Sequence, residues 1–244
     1  MNALGLTEPD AHSVDAENEG KVARALRVGT RTLGELLVTA GVVLLLLVVY
    51  QLVWTNVQAD RAAQSHTDDL HERWAQAPPA GPEFDVPIRN GDAFATLHIP
   101  RLGDNYEVPV VQGVSLTNLA EGVGHYPETA LPGEVGNFSV AGHRATNGEP
   151  FALLDQLRDG DSVIVETATT WYTYKVYSEE IVLPTQIEVI LPVPGDEKAK
   201  PEKALLTLTT CNPRWASYER LIFHAELEDE QEKSLGPPPS MKAV

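Results

Sequence analysis

Residues 204–213 read ALLTLTTCNP, in which leucines alternate with threonines up to the single cysteine of the chain. This alternation predicts a β-strand over Ala204–Thr210. Asn212-Pro213 is a turn signal, so Cys211 is expected at the exposed end of that strand. Arg220 follows nine residues after the cysteine and opens a second apolar run. A hairpin of the two strands would bring the guanidinium beside the sulfur.

Strand-like segments recur along much of the chain. From Phe94 onward, short runs rich in Val, Ile, Thr and Tyr are separated by turn signals such as Asp159-Gly160, and few segments have helical periodicity. This pattern predicts a mainly β domain, and so many short strands predict a small closed barrel or a sandwich. The other predicted strands are Phe94–Ile99, Val108–Gln112, Phe138–Ala141, Ser162–Glu166, Trp171–Val182 and Arg220–Glu228. Short helices are predicted over Leu116–Glu121 and Pro150–Leu157, the second with proline at a helix start.

A long apolar stretch near the N-terminus predicts a membrane anchor. No charged residue lies between Glu35 and Asp60, and residues 36–53 consist mostly of Leu, Val, Ala and Gly. About 20 helical residues cross a bilayer core of about 30 Å, so we expect one transmembrane helix over 33–57. The run is longer than the roughly 7 to 15 residues of a signal-peptide core, which favours an uncleaved anchor. Basic residues between 21 and 31 precede the helix, and the positive-inside rule places them in the cytoplasm.

The composition divides the chain into five segments. Residues 1–32 are expected to form a disordered cytoplasmic tail, because their first part is polar and acidic without apolar periodicity. The transmembrane helix over 33–57 is followed by an extracellular helical stalk and Pro-rich linker over 58–90, and then by the β domain over 91–229. The polar, Pro-rich residues 230–244 predict a disordered C-terminal tail. We therefore expect a single-pass protein of the cell membrane, with a cytoplasmic N-terminus and an extracellular β domain.

Charge and cysteine content exclude several classes of function. A net charge of -17, from 35 acidic and 18 basic residues, disfavours nucleic acid as a partner. One cysteine cannot form an intrachain disulfide, a multi-cysteine zinc site or an iron–sulfur cluster. The predicted stalk carries a cluster of His and Asp, at His66, Asp68, Asp69 and His71. Such clusters on exposed helices are typical of a solvated face, so we expect no cofactor and no required metal ion.

A reactive cysteine needs partners that manage a proton and a negative charge. A nearby histidine exchanges the thiol proton with a leaving amine, and an arginine stabilises negative charge on sulfur or on an oxyanion. Of the seven histidines, His125 and His143 are the serious candidates, because the others fall in the tail, in the stalk or within predicted strands. His143 follows Ala141-Gly142 at the end of a predicted strand. With Cys211 and Arg220, such a histidine would supply all three functions.

Two motifs of this domain resemble those of the sortases, a family of cysteine transpeptidases. Residues 207–211 read TLTTC, and together with Arg220 they resemble the family's Thr-Leu-x-Thr-Cys and Arg signature. Residues 136–143 read GNFSVAGH, which is similar to the family's Gly-Asn-x-x-x-Ala-Gly-His segment. The resemblance spans roughly residues 94–228, and the joint spacing of the motifs is far more specific than any one of them. It implies a closed β-barrel of about eight strands with short helices, preceded by a membrane anchor.

The resemblance also implies a role for each residue of the trio. Cys211 would be the nucleophile, His143 the general acid/base, and Arg220 the stabiliser of substrate and oxyanion. His125 is left with a structural or substrate-loop role. The substrate-binding groove is expected to include Thr209, Thr210 and Asn212.

The implied reaction is transpeptidation at the cell wall of a Gram-positive cell. Sortases cut a sorting signal of the Leu-Pro-x-Thr-Gly kind between Thr and Gly, hold the Thr carbonyl as a thioester, and pass it to an amine of the peptidoglycan precursor. Residues 211–213 (CNP) and 124–127 (GHYP) look most like class E, which tends to prefer Ala over Pro in the second signal position. The implied partners are surface proteins that carry such a signal, and the accepting amine.

Two other interpretations remain open at the level of sequence. A cell-wall cysteine hydrolase or an L,D-transpeptidase-like enzyme would share the thioacyl chemistry, although not this order of motifs. A non-enzymatic, membrane-anchored binding domain would instead hold Cys211 as a packed core residue. Transfer to an amine separates the sortase from the first alternative, and access to the thiol separates it from the second.

Overall fold

A computed structural model describes residues 11–76, 84 and 87–241 of the 244-residue chain. The helical start of the described chain comprises helix α1 (Ala11–Val49), a π-helical turn (Tyr50–Trp54) and helix α2 (Thr55–Gln76). The structure falls into two units, which meet in the chain between Gln51 and Leu52. The first unit contains α1, and the second contains α2 and all the strands.

Helix α1 contains a candidate membrane span. Its segment Arg24–Val49, of 26 residues, includes an 18-residue stretch of mean hydropathy 2.4 and is long and apolar enough to cross a membrane, and its side chains are exposed. The span starts before the predicted 33–57. Where the sequence predicts a disordered tail over 1–32, the structure is helical from Ala11, because residues 11–31 contain several of the helix formers Ala, Arg and Glu. Residues 1–10 lie outside the described part of the chain.

Eight strands of the second unit close into a barrel. They are β1 (Ala93–His98), β2 (Glu107–Gln112), β3 (Val123–His125), β4 (Gly136–Ala141), β5 (Ser162–Glu166), β6 (Thr170–Val182), β7 (Ala204–Asn212) and β8 (Glu219–Glu232). Around the barrel the order is β1-β2-β3-β4-β7-β8-β6-β5, and β5 pairs with β1 to close it. The pairs β2–β3 and β4–β7 are parallel, and the other neighbours are antiparallel. The closed eight-stranded barrel confirms the fold class expected from the sequence.

The short elements differ from the sequence predictions in two places. Strand β3 was not predicted, because three residues that include Gly124 are too short a run to show alternation. Helix α3 (Leu116–Leu119) is present and is capped by Ser115, whose hydroxyl accepts from the Asn118 N–H. The helix predicted over Pro150–Leu157 is wrong, since that segment forms only turns and one 3₁₀ turn. The 3₁₀ turns are Pro100–Leu102, Leu154–Gln156, Ile187–Ile190, Lys233–Leu235 and Pro239–Met241.

Apolar side chains from all sides of the barrel fill its interior. Almost fully buried examples are Leu97, Val110, Phe138, Tyr174, Leu206 and Phe223. Each such side chain contributes about 1.5–3 kcal/mol by leaving water. The hydroxyl of Tyr174 accepts a hydrogen bond from the N–H of Gly133 at 2.8 Å, so its polar atom is satisfied. Because the interior is filled, a substrate site has to lie on the outside or at the rim.

One face of α2 packs against the barrel. Leu70 is 1% exposed and, with Trp74, lies against Ala93 of β1 and Val111 of β2. The sequence predicts a helix in this region with every face exposed to solvent. The helix is present, but the face that carries Leu70 is buried against the barrel, so the prediction of full exposure is wrong. The large apolar residues of α2 that make this contact are Leu70 and Trp74, which lie four positions apart. Two apolar residues are too few to give the segment a recognisable pattern of an amphipathic helix.

The chain remains ordered past the predicted end of the domain at residue 229. Strand β8 continues to Glu232, which pairs with Thr170 at the start of β6. The side chain of Gln231 then donates to the carbonyl of Gly236 at 2.6 Å. The polar, Pro-rich composition of this segment predicts disorder, yet the long partner strand supplies backbone hydrogen bonds that do not depend on composition. The part of the predicted tail up to Met241 therefore has a defined structure.

Candidate active site

Strands β7 and β8 bring Cys211 and Arg220 directly opposite each other. The two residues are Cα partners in the antiparallel register. Opposite residues of such a pair point to the same face, with Cβ atoms about 4.5–5.5 Å apart. The thiol is free and partly exposed. Nη1 of Arg220 donates to the carbonyls of Ser217 at 3.2 Å and Glu219 at 2.9 Å, which anchors the guanidinium at the hairpin that follows Cys211.

His143 reaches the same end of the barrel from β4. Strands β4 and β7 run parallel, and Ala141 is the last residue in register, beside Thr209. The N–H of Gly142 donates to the Thr209 carbonyl at 3.0 Å, so the parallel register continues for one residue beyond the end of β4. His143 therefore leaves β4 at the level of Cys211 on β7. Because β4, β7 and β8 are consecutive in the barrel, the predicted trio lies at one end of three neighbouring strands.

Packing explains the glycine that precedes His143. A Cβ at Gly142 would lie 2.6 Å from the ring of Phe151, a side chain that is fully buried. The N–H of Phe151 donates to the carbonyl of His143 at 3.0 Å. The buried ring and this hydrogen bond fix the turn that presents the imidazole. The Gly-His pair of the sequence motif thus has a structural cause.

Burial lowers the pKa of the His143 imidazole below its ordinary value. The ring is half-buried, and its Nε2 lies 3.5 Å from the amide nitrogen of the Asn147 side chain. Loss of solvation is the cause of the shift, and it disfavours the charged form. At neutral pH the imidazole is therefore predominantly neutral and able to accept a proton from a thiol.

The loop after His143 has an unusual backbone. Asn147, Gly148 and Glu149 all have positive φ, at 54°, 76° and 39°. Such conformations cost about 1–3 kcal/mol for residues other than glycine and persist only where the surroundings hold them. The side chain of Asn56 on α2 contacts both the Gly148 N–H (3.2 Å) and a Glu149 oxygen (2.9 Å). Arg214 binds the other Glu149 oxygen at 2.6 Å, so Glu149 joins α2, this loop and the β7–β8 hairpin.

Arg144 is a second connection that sequence reasoning missed. It is buried, and its Nη1 donates to the carbonyl of Cys211 at 3.2 Å and to the side-chain oxygen of Asn212 at 2.8 Å. Its Nη2 lies 3.3 Å from the carboxylate of Asp155. Arg144 thus fixes the end of β7 to the turn that carries His143. The only signal in the sequence is its position directly after the histidine of the motif.

The predicted groove residues have different environments. The hydroxyl of Thr209 donates to the carbonyl of Val140 at 3.2 Å, and that of Thr210 donates to the carbonyl of Gly142 at 2.8 Å. Both threonines are almost fully buried, at 4% and 3% exposed. Their hydroxyl groups join β7 to β4 and so hold together the two strands that carry Cys211 and lead to His143. Asn212 is partly exposed beside Cys211, and it is the one of the three whose side chain reaches the surface.

The structure separates the two candidate histidines. His125 is 1% exposed, and its ring nitrogens lie 2.7 Å from the side-chain oxygen of Gln112 and 3.1 Å from the carbonyl of Ala130. Burial lowers the pKa of His125 to about 4. An enclosed, hydrogen-bonded and neutral ring is suited to holding β2, β3 and the following loop together. His143 is the candidate that lies level with Cys211.

Comparison with known proteins gives one consistent family. The family model described as Sortase domain matches residues 97–228, which is most of the barrel. Sortase SrtE1 of Streptomyces coelicolor is 36% identical over 238 residues, covering 93% of this chain and 66% of the relative. Sortase SrtE2 of the same organism is 39% identical over 207 residues, covering 80% of each protein.

Solved structures agree with these relatives. The structure of sortase E from Streptomyces avermitilis matches with a TM-score of 0.58 and 42% identity, over 64% of this chain and 100% of that one. Sortase E1 from S. coelicolor, solved with a tripeptide in its active site, matches with a TM-score of 0.58 and 36% identity, over 63% of this chain and 99% of that one. With its eight-stranded barrel and its motifs, the chain belongs to the sortase family of cysteine transpeptidases and resembles the class E members.

Proposed function

We propose that this chain is a membrane-anchored sortase of class E that attaches surface proteins to the cell wall. It would cleave a C-terminal sorting signal of the Leu-Pro/Ala-x-Thr-Gly type between Thr and Gly, and transfer the protein to an amine of the peptidoglycan precursor. The observation that carries the proposal is the placement of Cys211 opposite Arg220, at the level where His143 leaves the adjacent strand. A nucleophile, a proton carrier and a fixed positive charge are the groups that this reaction needs.

In the proposed acylation step, the sulfur of Cys211 attacks the carbonyl carbon of the signal's threonine. The thiol proton passes to the neutral imidazole of His143, whose lowered pKa suits it to accept a proton and release it again. When the C–N bond to glycine breaks, the imidazolium gives that proton to the leaving amine. Arg220 donates hydrogen bonds to the oxygen that becomes negative in the tetrahedral intermediate. The product is a thioester on Cys211.

The second step reverses these roles. An amine of the peptidoglycan precursor attacks the thioester carbonyl and loses a proton to His143. The C–S bond breaks, and the sulfur leaves as a thiolate that recovers the proton. Arg220 again stabilises the oxyanion. One peptide bond is broken and one is formed, so the reaction needs no external energy source or cofactor.

The proposed location follows from α1. Its apolar segment Arg24–Val49 would span the cell membrane, and the basic residues before the apolar run favour a cytoplasmic N-terminus. The barrel would then face the cell wall. Because Cys211 is the only cysteine, a membrane-impermeant thiol reagent tests this topology directly. We expect labelling on intact cells, and labelling that requires lysis would contradict an outside location.

The reaction is tested with the full chain in detergent, a Leu-Ala-x-Thr-Gly peptide and a glycine-like amine, followed by mass spectrometry. We expect a product that ends at Thr and is joined to the amine, formed faster than from the matching Leu-Pro-x-Thr-Gly peptide. A control peptide with Gly-Thr in place of Thr-Gly should remain intact. Cleavage with water alone, at every amine concentration, would favour a cysteine hydrolase. Failure to cleave, with a thiol that is labelled only after denaturation, would favour a binding domain.

A further inference from the structure

A second group of titratable side chains gathers where α2 packs on the barrel. His71 lies on α2, Glu107 is the first residue of β2 and Glu166 is the last residue of β5. Nε2 of His71 lies 3.0 Å from Oε1 of Glu107 and 3.8 Å from Oε2 of Glu166. One nitrogen or oxygen atom of each residue lies within 4.8 Å of those of the other two. Three side chains that are distant in sequence therefore converge on one point.

The atom types suit a small divalent metal ion, and the separations are close to those between its ligands. Nitrogen and oxygen ligands about 2.0–2.2 Å from a tetrahedral zinc ion lie about 3.3–3.6 Å from one another. The two contacts of the His71 nitrogen, at 3.0 Å and 3.8 Å, lie on either side of that range. Imidazole and carboxylate are both ligands of zinc, whereas calcium requires about six to eight oxygens.

One oxygen of this group is buried without a hydrogen-bond donor. Among the hydrogen bonds of the described residues, none reaches Oε1 of Glu107. Nε2 of His71 lies 3.0 Å from this oxygen and Nε2 of His98 lies 3.9 Å from it, but neither contact is a hydrogen bond. A buried carboxylate oxygen without a hydrogen-bond donor lowers the stability of the fold, so a bound cation at this atom would be stabilising. A cation between the two residues would satisfy it.

Neighbouring side chains hold Glu166 in place. Nε2 of His98 lies 3.1 Å from one carboxylate oxygen, and Nζ of Lys233 lies 2.6 Å from the other. Hydrogen bonds of this kind commonly orient the carboxylates that bind metal ions.

We infer that His71, Glu107 and Glu166 bind a zinc ion that fastens α2 to the barrel. The His71 side chain is 45% exposed, and a surface groove of about 310 Å³ lined by His71 and Glu166 opens to solvent, so an ion can enter. Two carboxylates and one lysine leave a net negative charge to attract it. Of the stalk cluster seen in the sequence, only His71 belongs to this group. The ion would stabilise the fold and take no part in the chemistry at Cys211.

Zinc binding is measured on the full chain in detergent by competition with a chromogenic chelator. Cys211→Ala serves as the parent, so that the thiol cannot bind the metal. We expect about one zinc ion per chain and a rise in melting temperature. His71→Ala in this parent should weaken zinc binding by roughly 10- to 100-fold or more and abolish that rise. His66→Ala is the matched control, because it removes a histidine of the same helix that lies 3.1 Å from Glu121 instead, and it should change neither.

A second variant shows whether weaker zinc binding comes from loss of a ligand or from a folding defect. Glu107→Gln preserves the side-chain volume and should weaken zinc binding as His71→Ala does, while far-UV circular dichroism reports whether each variant folds. The readout is metal content, so a failure of the proposed transpeptidation would leave it unaffected. The inference is overturned if the parent binds no zinc, or if both folded variants bind zinc as tightly as the parent.

Discussion

A basic side chain and histidines lie at each of the two ends of β8, beside a thiol at one end and beside carboxylates at the other. At the first end, Arg220 faces Cys211 across the strand pair, and burial lowers the pKa of the nearby His143. Just beyond the other end, Lys233 pairs with Glu166, around which further histidines contact carboxylates. An imidazole that burial keeps neutral is suited to proton transfer with a thiol. Imidazoles among carboxylates are suited to ion pairing or to binding a metal ion.

Helix α2 contacts the surroundings of both ends. Asn56 near its start bonds Glu149 in the loop after His143, and His71 near its other end meets Glu107. These two positions are about 22 Å apart along the helix axis. The helix therefore braces the barrel from the candidate active site to the inferred metal site. Matched substitutions at each end of β8 test whether the two ends have separate roles.

The largest expected effect is that of Cys211→Ser. The weaker nucleophile should lower transpeptidation by at least about 10³-fold, measured as amine adduct per minute. Zinc binding at the other end should not change. Activity within about tenfold of the unmodified chain would remove Cys211 from the chemistry.

Arg220→Lys and Lys233→Gln compare the two ends of β8 directly. Lysine keeps the charge at 220 but lacks the planar fork of donors, so we expect kcat to fall by about 10²–10³-fold. Lys233→Gln leaves a buried Glu166 oxygen without its ion pair and should lower the free energy of unfolding by about 1–3 kcal/mol. Its kcat per folded molecule should be unchanged. Equal losses of kcat in both variants would mean that the two ends do not have separate roles.

The pH dependence of stability tests the buried histidine near the first end. Because burial lowers the pKa of His125 to about 4, the folded state stays unprotonated there while the unfolded state binds a proton below about pH 6.5. This contribution is complete above that pH and is lost as the pH falls toward 4, by about 3 kcal/mol.

His125→Gln isolates this contribution. The difference in melting temperature between the two chains should shrink or reverse as the pH falls from about 6.5 to 4, because only the unmodified chain loses the stability of a neutral histidine. A difference that is constant over this range would show that the pKa of His125 is the same in the folded and unfolded states.

Glu149→Gln and Glu121→Gln should give the smallest effects. Both carboxylates contact α2, but only Glu149 also binds Arg214 and the loop after His143. Loss of that ion pair should let the imidazole shift and lower kcat by about tenfold. Glu121→Gln, which weakens only the contact with His66, should leave kcat unchanged. Similar kcat values for both variants would remove the positioning role of Glu149.

Much of the fold, and the placement of Cys211 opposite Arg220, could be predicted because their signals are local. The alternation of residues 204–210 predicts a strand wherever it lies, and it places Cys211 at the strand end. The hairpin to Arg220 follows from short-range spacing. The placement of His143 depended instead on a family resemblance, since residues alone did not separate it from His125. In the structure, the parallel pairing of β4 with β7 and the burial of His125 separate the two histidines.

The remaining features depend on contacts between distant segments. Arg144 and Glu149 read as ordinary surface charges, because their partners come from α2 and from the β7–β8 hairpin. The buried face of α2 consists largely of Leu70 and Trp74, and two apolar residues give almost no amphipathic pattern in the sequence. The group around Glu166 combines α2, β2 and β5, and sequence spacing carries no information on such a convergence.

The most direct test of the site is to look for the acyl-enzyme itself. The full chain is mixed with a Leu-Ala-x-Thr-Gly peptide without added amine, quenched in acid, and measured by intact-protein and peptide mass spectrometry. We expect the mass of the peptide up to Thr on Cys211, and its loss as an amide when a glycine-like amine is added before the quench. Cleavage of the peptide without an adduct on Cys211, or an adduct that the amine does not discharge, would contradict a thiol site formed by the ends of β4, β7 and β8.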